Sequence, residues 1–383
     1  MSEIRKGVLF RRLQALLAVL LVTALIAGAC GDDDDDTSSA DDGSASSDDG
    51  STDGGPLPTS ELCGTEPIRL AHIDGFGGNA WRQITHAELL DEISDCDNIE
   101  VSYAEAGGDL QAYSAAINSF VAQGYDVIVT YDDFGNQALG SLRDAFEAGV
   151  VVVPYTSDPN GVVGEDYSDF ITMDYAAIAE DWAAWMADVA GDDAELIFVG
   201  GIPGNPSSLA AKGNFEAAVE SLGVGLEFLN EEPIDTNWNM ADAQQALAGA
   251  ITQYTDFEGW VSDYGVVSVG GIRAMENAGR SIPPLATYAT SNELGCVWYE
   301  LSEDNPDFEL FAVDGTTRVV RLAVRKALAA LNGLPDTDVE VFVLEPFMDT
   351  VNGIDPPCEP DLPPDADLSS GLSPEQLAAV FES

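Results

Sequence analysis

The chain has 383 residues, with 68 acidic side chains against 14 Lys and Arg and only two histidines. Its formal net charge of −54 repels nucleic acids and anionic lipid headgroups, and two histidines are a poor supply for a multi-histidine metal site. An apolar fraction of 45% is ordinary for a globular protein, so the acids belong on the surface around a buried core. A surface this acidic stays hydrated at high salt, which fits a saline habitat.

The first thirty residues have the pattern of an export signal. Four basic residues precede an apolar run over residues 13–29, and small residues stand directly before Cys30. This pattern predicts a signal peptide over residues 1–29. It resembles a lipoprotein signal peptide, in which the cysteine receives the lipid, although Ala27 stands where Leu is usual. An ordinary signal peptide or a single transmembrane anchor is the alternative.

Residues 30–62 are predicted to be an acidic, disordered tether. Between Gly31 and Gly55 the chain holds ten Asp, and the other residues are Ser, Gly, Thr and Ala. Such a segment has no large apolar side chain whose burial offsets the entropy of ordering, and its like charges repel one another. The sequence therefore predicts a folded region that a lipid and a tether hold at the outer face of the cell membrane.

From residue 68 onward, short apolar strands alternate with amphipathic helices. The predicted strands are Ile68–Ile73, Ile99–Tyr103, Asp126–Thr130, Val150–Val153, Glu195–Val199, Leu226–Leu229, Gly259–Ser262, Leu285–Tyr288, Glu309–Val313 and Val339–Leu344. Nearly continuous apolar strands between helices are typical of parallel sheets that are covered on both faces. The number of units predicts either two α/β domains or one barrel.

Four cysteines follow Cys30, and an even number in an exported chain favours disulfides. Cys63 precedes the first predicted strand, and Cys96 follows the first predicted helix. Because the helix of a βα unit runs antiparallel to its strand, these two positions meet at one end of the sheet. This predicts a Cys63–Cys96 bond and leaves Cys296–Cys358 by elimination, with free buried thiols as the alternative.

Three segments at strand ends and one in a predicted helix resemble, in chain order, those of the ribose-type sugar-binding proteins of ABC importers, a class of type I periplasmic binding proteins. The segments are Asp74–Arg82, Gly200–Pro206, Asn237–Asn239 and Gly270–Arg280. The resemblance covers residues 68 to about 347. It implies an α/β fold of two doubly wound parallel-sheet domains, joined by three crossovers, with the ligand in a cleft between them that closes by a hinge.

The resemblance also implies where the domains begin and end. The amino-terminal domain is expected to comprise residues 63–173 and 315–338, and the carboxyl-terminal domain residues 174–314 and 339–354. Residues 355–383 form a tail rich in Pro and Asp. Within it, Ser373 followed by Pro374 has the pattern of a helix N-cap with Pro at the first helical position, which predicts a short helix.

The ligand is expected at the carboxyl ends of the strands, where α/β sheets bind ligands. A sugar has an apolar C–H face and a polar rim, so its site needs aromatic planes and planar hydrogen-bonding groups. Trp81 and Trp238 stand on such loops, one in each expected domain, and are predicted to enclose a sugar ring; packing in the core is the alternative. The remaining candidates are Phe76, Asn79, Arg82, Tyr155, Ser157, Asp158, Asn205, Asp263, Tyr288, Asn292 and Asp314.

Several of these candidates rest on the resemblance alone. Ser157 and Asp158 stand near the family's Asp-Arg pair, and Asp263 stands at its Asn/Asp position. Tyr288 matches a family aromatic, and Asp314 a polar hinge residue. Each acid is alternatively a helix N-cap. Two arginines of the ribose-type site have no counterpart here, so pentoses, deoxyhexoses and polyols are equally open as ligands.

The leading hypothesis is therefore a monomeric binding protein without cofactor or metal. It captures a small neutral sugar or polyol by hinge closure and delivers it to an ABC permease; a sugar sensor for a signalling receptor is a variant. The second hypothesis is a secreted carbohydrate-active enzyme with Asp74, Asp158 or Asp263 as its carboxylates. The sequence contains neither a G-x-S-x-G nucleophile elbow nor a P-loop, so other chemistry has little support.

Overall fold

The computed structural model describes residues 56–382. The predicted signal peptide, the lipidation site Cys30 and the tether as far as residue 55 lie outside the described residues. Within residues 56–382, no helix combines the length and the apolar character that a membrane span requires.

The described part of the chain alternates helices and strands. The helices α1 to α11 are Thr59–Leu62, Ala80–Glu92, Leu110–Ala122, Leu139–Glu147, Tyr175–Val189, Pro206–Leu222, Met240–Gln253, Gly265–Ala278, Asn292–Leu301, Val319–Asn332 and Pro374–Val380. The strands β1 to β13 are Ile68–Asp74, Ile99–Glu105, Val127–Tyr131, Val151–Pro154, Thr172–Met173, Glu195–Gly200, Glu227–Phe228, Ile234–Asp235, Gly259–Ser262, Leu285–Thr287, Leu310–Asp314, Val341–Phe342 and Glu345–Asp349. A 3-10 turn at Thr316–Arg318 precedes α10.

Two sheets divide these elements into two lobes. The first sheet has the strand order β2-β1-β3-β4 and is parallel throughout. Helices α3 and α4 pack on it, and α10 covers β3 and β4 while contacting α2. This sheet with α2, α3, α4 and α10 is the first lobe. Its central strands β1 and β3 are almost completely buried, as expected for a parallel sheet between helices.

The second lobe consists of the second sheet and helices α5 to α9. Its strand order is β13-β11-β10-β9-β6-β7, with β8 also paired to β6. All pairs are parallel except β11 with β13 at one edge. Helices α5 and α6 pack on each other, as do α7 and α8.

As far as β13, the chain passes between the lobes three times: from β4 to α5, from β11 to α10, and from α10 to β13. Strands β5 and β12 lie in two of these crossings and pair with each other in parallel. The predicted fold class, two doubly wound α/β parts with three crossovers, is confirmed, and the barrel alternative is wrong.

The structure differs from the sequence predictions at several places, of which three change an element or a boundary. The strand predicted at Val339–Leu344 is replaced by the shorter β12 and the antiparallel edge strand β13. Helix α9 was not predicted; it begins at the N-cap Ser291, whose hydroxyl accepts a hydrogen bond from the Leu294 amide. The tether was expected to extend to residue 62, whereas α1 is helical because buried Leu62 joins the core beside α10.

Both predicted disulfides, Cys63–Cys96 and Cys296–Cys358, are present. The predicted helix of the tail is also present as α11. Ser373 and Gln376 form a capping box at its start, with Pro374 at the first helical position.

Candidate ligand-binding site

A cavity lies between the two lobes at the carboxyl ends of their central strands. The space open to the centre of a water molecule is about 40 Å³, which is room for about three waters. Its wall is formed by Asn79, Trp81, Arg82, Tyr131, Thr156, Met173, Tyr175, Ser207, Trp238, Asp263, Tyr264, Tyr288, Ala289 and Thr316.

The first turn of α2 brings three wall residues to the end of β1. Asn79 is the N-cap, and its side chain accepts a hydrogen bond from the Arg82 amide. The Trp81 indole donates to the Thr316 hydroxyl at 2.9 Å and packs edge-on against Tyr131. These contacts fix the tryptophan ring at the boundary between α2 and the crossover that leads to α10.

Arg82 is a buried cation that is only 2% exposed. Its guanidinium donates to Asp133 at 2.9 Å, lies 3.3 Å from Asp74, and sits 3.7 Å from the centre of the Tyr131 ring. Burial lowers the pKa of Arg82, but the carboxylates of Asp133 and Asp74 outweigh this effect and hold the pKa above its ordinary value. Burial also raises the pKa of Asp133 to about 7, against the opposing effect of Arg82. Arg82 thus has its counter-charges within the protein.

In the second lobe, Asp263 lies directly after β9. One of its oxygens accepts from the Trp238 indole at 3.1 Å, and the other accepts from the Ser208 hydroxyl. Burial raises the pKa of Asp263 to about 7, although these hydrogen bonds favour the charged form. Tyr288 is held by a parallel stack on buried Trp182, with ring centres 5.3 Å apart.

The backbone is strained at several points of the wall. Thr156, Trp238 and Ala289 on the wall, and Asn237 next to Trp238, have φ between 46° and 63°, a region that side-chain-bearing residues rarely adopt. Such strain persists only where the surroundings impose it, and it is concentrated at functional sites. The Thr156 hydroxyl is buried on the wall and has no hydrogen-bond partner among residues 56–382, so it can bond to a ligand.

Direct contacts join the two lobes beside the cavity. Tyr131 at the end of β3 shares a hydrogen bond of 2.7 Å with the Ser207 hydroxyl on α6. The Asn205 amide, at the N-cap of α6, donates to Asp133 at 3.0 Å. Phe76 of the first lobe packs edge-on against Trp238. The lobes are therefore closed over the cavity in this structure.

The sequence-predicted candidates divide into two groups. Those on the cavity wall are Asn79, Trp81, Arg82, Trp238, Asp263 and Tyr288. Those off the wall are Phe76, Tyr155, Ser157, Asp158, Asn205, Asn292 and Asp314. Contact of the first group with a ligand stays a prediction.

The residues off the wall have other partners. The hydroxyl of Tyr155 lies 3.0 Å from His72, behind Tyr131. Asp158 is exposed and accepts from the Asn160 amide. The Asn292 amide donates to backbone carbonyls of the tail.

Two further residues off the wall support the loops behind it. Ser157 donates to the Asp132 carbonyl. Asp314 ends β11, and one of its oxygens accepts from the Gly315 and Thr316 amides. Asp314 thus shapes the crossover turn that carries Thr316.

Sequence reasoning missed several wall residues. Tyr131 ends β3 and Tyr264 follows Asp263 after β9, so both carry the same signal as the tryptophans: an aromatic at the carboxyl end of a strand. Met173 and Thr316 come from the crossovers. No local pattern marks them, because their position depends on how the two lobes meet.

The two histidines form a pair behind this wall. His72 Nδ1 lies 3.0 Å from His86 Nδ1, and the His86 ring stacks on Tyr103. Burial lowers the pKa of His86 to about 4 and that of His72 well below its usual value, so both rings are neutral at pH 7.

Comparisons with known proteins agree with this geometry. The family model described as periplasmic binding protein domain matches residues 75–334. None of the curated protein sequences matches the chain. Solved structures do match: an ABC transporter solute-binding protein from Agrobacterium vitis with bound D-fucose is 18% identical, with a TM-score of 0.63, over 76% of this chain and 97% of that one.

Two further solved structures show the same fold. The periplasmic component of the arabinose ABC transporter from Shewanella, bound to L-arabinofuranose, is 15% identical, with a TM-score of 0.61, over 72% of this chain and 89% of its own. A solute-binding protein from Bacillus halodurans with myo-inositol is 14% identical, with a TM-score of 0.62, over 74% of this chain and 95% of its own.

Proposed function

Because the chain belongs to the periplasmic binding protein domain family, we propose that it captures a neutral monosaccharide or polyol outside the cytoplasm and delivers it to an ABC permease. The observation that carries this proposal is the cavity between the closed lobes, whose wall combines aromatic rings with buried hydrogen-bonding groups. Members of this family bind solutes, so this function requires no catalytic group. A ligand that contacts both lobes shifts the equilibrium towards the closed state.

Charge supports a neutral ligand. Arg82 is already paired with Asp74 and Asp133, and both oxygens of Asp263 are occupied by protein donors. An anionic or cationic solute would have to break one of these buried interactions, which costs about 3 to 5 kcal/mol for a buried ion pair. A sugar or polyol needs only hydrogen bonds and ring contacts, which the wall supplies.

The proposed domain bounds are those of the sequence analysis, with residues 315–338 returning to the first lobe and 339–354 to the second. We also propose that a lipid on Cys30 holds the mature chain, as a monomer, at the outer face of the cell membrane. The small residues before Cys30 and the acidic segment after it support this proposal. The mass of the amino-terminal peptide of the mature chain tests it.

A thermal-shift screen of pentoses, hexoses, deoxyhexoses and inositols should identify the ligand, because binding to the folded state raises the melting temperature. Trp81→Ala and Trp238→Ala should each weaken its binding by about tenfold or more, since each removes an aromatic plane from the wall. Leu209→Ala, an exposed position on α6 away from the wall, is the control.

The same protein separates binding from catalysis. A binding protein releases the sugar unchanged on denaturation, whereas a product in the supernatant would support the carbohydrate-active enzyme. If neither tryptophan variant alters the affinity of the identified sugar, the cavity is not its binding site.

A further inference from the structure

The tail after β13 does not hang free but runs from the second lobe to the first. Residues 356–380 are called the C-terminal strap here. At its start, Cys358 is bonded to Cys296 on α9 of the second lobe. At its end, α11 packs on α2 of the first lobe. The strap therefore spans the two bodies that have to separate when the cavity opens.

The anchorage to the second lobe is close and polar. The Asn292 side chain donates to the carbonyls of Glu359 and Leu362 and accepts from the Glu359 amide at 2.8 Å. A side chain at Gly295 would lie 2.0 Å from the Pro357 carbonyl oxygen, so only glycine admits the strap at this point of α9. With the disulfide, these contacts fix the first part of the strap on α9.

The middle of the strap holds the crossover turn beside the cavity. The Thr317 hydroxyl donates to the Asp367 carboxylate at 3.0 Å, and the Gly315 amide donates to the Ser369 hydroxyl at 2.9 Å. Thr316 lies between Gly315 and Thr317 in the chain. It is on the cavity wall and accepts a hydrogen bond from the Trp81 indole. The strap thus supports the acceptor that orients Trp81.

The last part of the strap holds α2, the helix that carries Trp81 and Arg82. Ala366, Leu372 and Leu377 enclose Ile84 in a small buried cluster. The Gly371 amide donates to the buried Glu88 carboxylate at 2.5 Å, and Gln376 donates to Asp91. Ile84 lies one turn after Trp81 on α2. The strap therefore contacts both elements that hold the Trp81 ring: helix α2 and the crossover turn that carries Thr316.

We propose that the C-terminal strap, fixed covalently to the second lobe, positions Trp81 and Thr316 on the cavity wall and restrains the separation of the lobes. Opening the cavity moves α2 away from α9, and the strap must then release its contacts on one of them. The strap is bonded to α9 through a disulfide, whereas its contacts with α2 are noncovalent. On opening, the strap therefore separates from α2 and stays on α9. The strap consequently slows the loss of a bound solute.

Removing the Cys296–Cys358 disulfide, which fixes the strap to the second lobe, tests this proposal. The full mature chain with Cys296→Ser and Cys358→Ser should show hydrogen exchange about tenfold faster in the first two turns of α2 and in residues 315–318, because both lose their support. The matched control is Cys63→Ser with Cys96→Ser, which removes the other disulfide, at the far end of α2, and leaves the strap in place. In the control, residues 80–86 and 315–318 should exchange as in the parent.

A second variant keeps the test decisive if the first does not fold. Leu377→Ala reduces the packing of α11 on Ile84 but retains the disulfide, and it should accelerate exchange in the same two segments. If either strap variant leaves both segments unchanged, or raises exchange uniformly across both lobes, the proposal is overturned.

The effect on solute release rests on the proposed function, whereas the exchange measurement uses the ligand-free protein. With the sugar from the thermal-shift screen as the probe, Leu377→Ala should increase the dissociation rate by about threefold and Cys296→Ser with Cys358→Ser by about tenfold. If the strap variants show the local increase in hydrogen exchange but no sugar of the screen binds, the proposed function alone is refuted. Faster exchange with an unchanged dissociation rate would refute the restraint on opening.

Discussion

Trp238 illustrates how a single glycine determines the shape of the cavity. A methyl group at Gly201 would lie 1.9 Å from an atom of the Trp238 ring, so the ring rests directly on the backbone of the loop after β6. The same loop accepts two hydrogen bonds at the Gly201 carbonyl from the amides of Thr236 and Asn237. The hydrogen bond to Asp263 and the strained backbone of Trp238 hold the ring in this position. No space is left for a side chain at Gly201.

At this scale we expect Gly201→Ala to displace Trp238. The overpacking should lower the free energy of unfolding by about 1 to 3 kcal/mol and weaken sugar binding by about tenfold or more. Gly213→Ala is the control, because a methyl group there meets nothing within 4 Å and lies in the exposed face of α6. Chemical denaturation and titration calorimetry measure the two effects, and an unchanged affinity would show that Trp238 does not contact the sugar.

At the scale of elements, the N-terminus of α6 meets the end of β3 across the cavity. Asn205 has two functions there: its oxygen caps the amides of Ser207 and Ser208, and its amide nitrogen donates to Asp133. Because Asp133 also accepts from Arg82, one carboxylate links the site of the first lobe to the helix of the second. Because the cap lies within α6, we expect it to form in any state of the lobes, whereas the bond to Asp133 should form only when the lobes are closed.

Asn205→Ser separates these functions, since serine caps helices about as well as asparagine but has no amide to reach Asp133. We expect sugar affinity to fall by about tenfold, the value of a hydrogen bond to a charged group, while the melting temperature of the ligand-free protein is nearly unchanged. Asn239→Ser, at the equally capped and exposed start of α7, should alter neither quantity. Equal affinities for the two variants would contradict the role of this bond in closure.

At the scale of the whole molecule, the net charge of −54 opposes the compact state. Several basic residues are already paired with acids: Arg321 pairs with Glu88, Asp91 and Glu92, and buried Lys326 pairs with Asp336. Most acids therefore have no basic partner available, and their mutual repulsion depends on the ions of the solvent.

We expect the melting temperature to rise by about 5 °C or more between 0.1 and 2 M NaCl at pH 7, because salt shortens the range of this repulsion. Near the isoelectric point of about 4.1, where the net charge vanishes, the same increase in NaCl concentration should change the melting temperature little. Scanning calorimetry at the two pH values measures both, and a melting temperature that falls with salt at pH 7 would contradict the argument.

The sequence alone determined what depends on local order along the chain. The apolar strands and their alternation with helices predicted the α/β fold, because burial on both faces of a parallel sheet requires such runs. The Cys63–Cys96 bond followed from the geometry of one βα unit, and α11 followed from its capping residues. The same local reasoning singled out Trp81 and Trp238, which line the cavity, while their contact with a sugar stays a prediction.

Only the tertiary structure decided what depends on contacts between distant segments. The pairing of Arg82 with two acids, the bond between Asp133 and Asn205, and the place of Thr316 on the wall each join parts of the chain that no periodicity connects. The strap is the clearest case: its disulfide and its short helix were predicted, but the buried cluster around Ile84 that joins it to the first lobe was not. Such contacts depend on how the two lobes pack together, and local sequence patterns do not predict that packing.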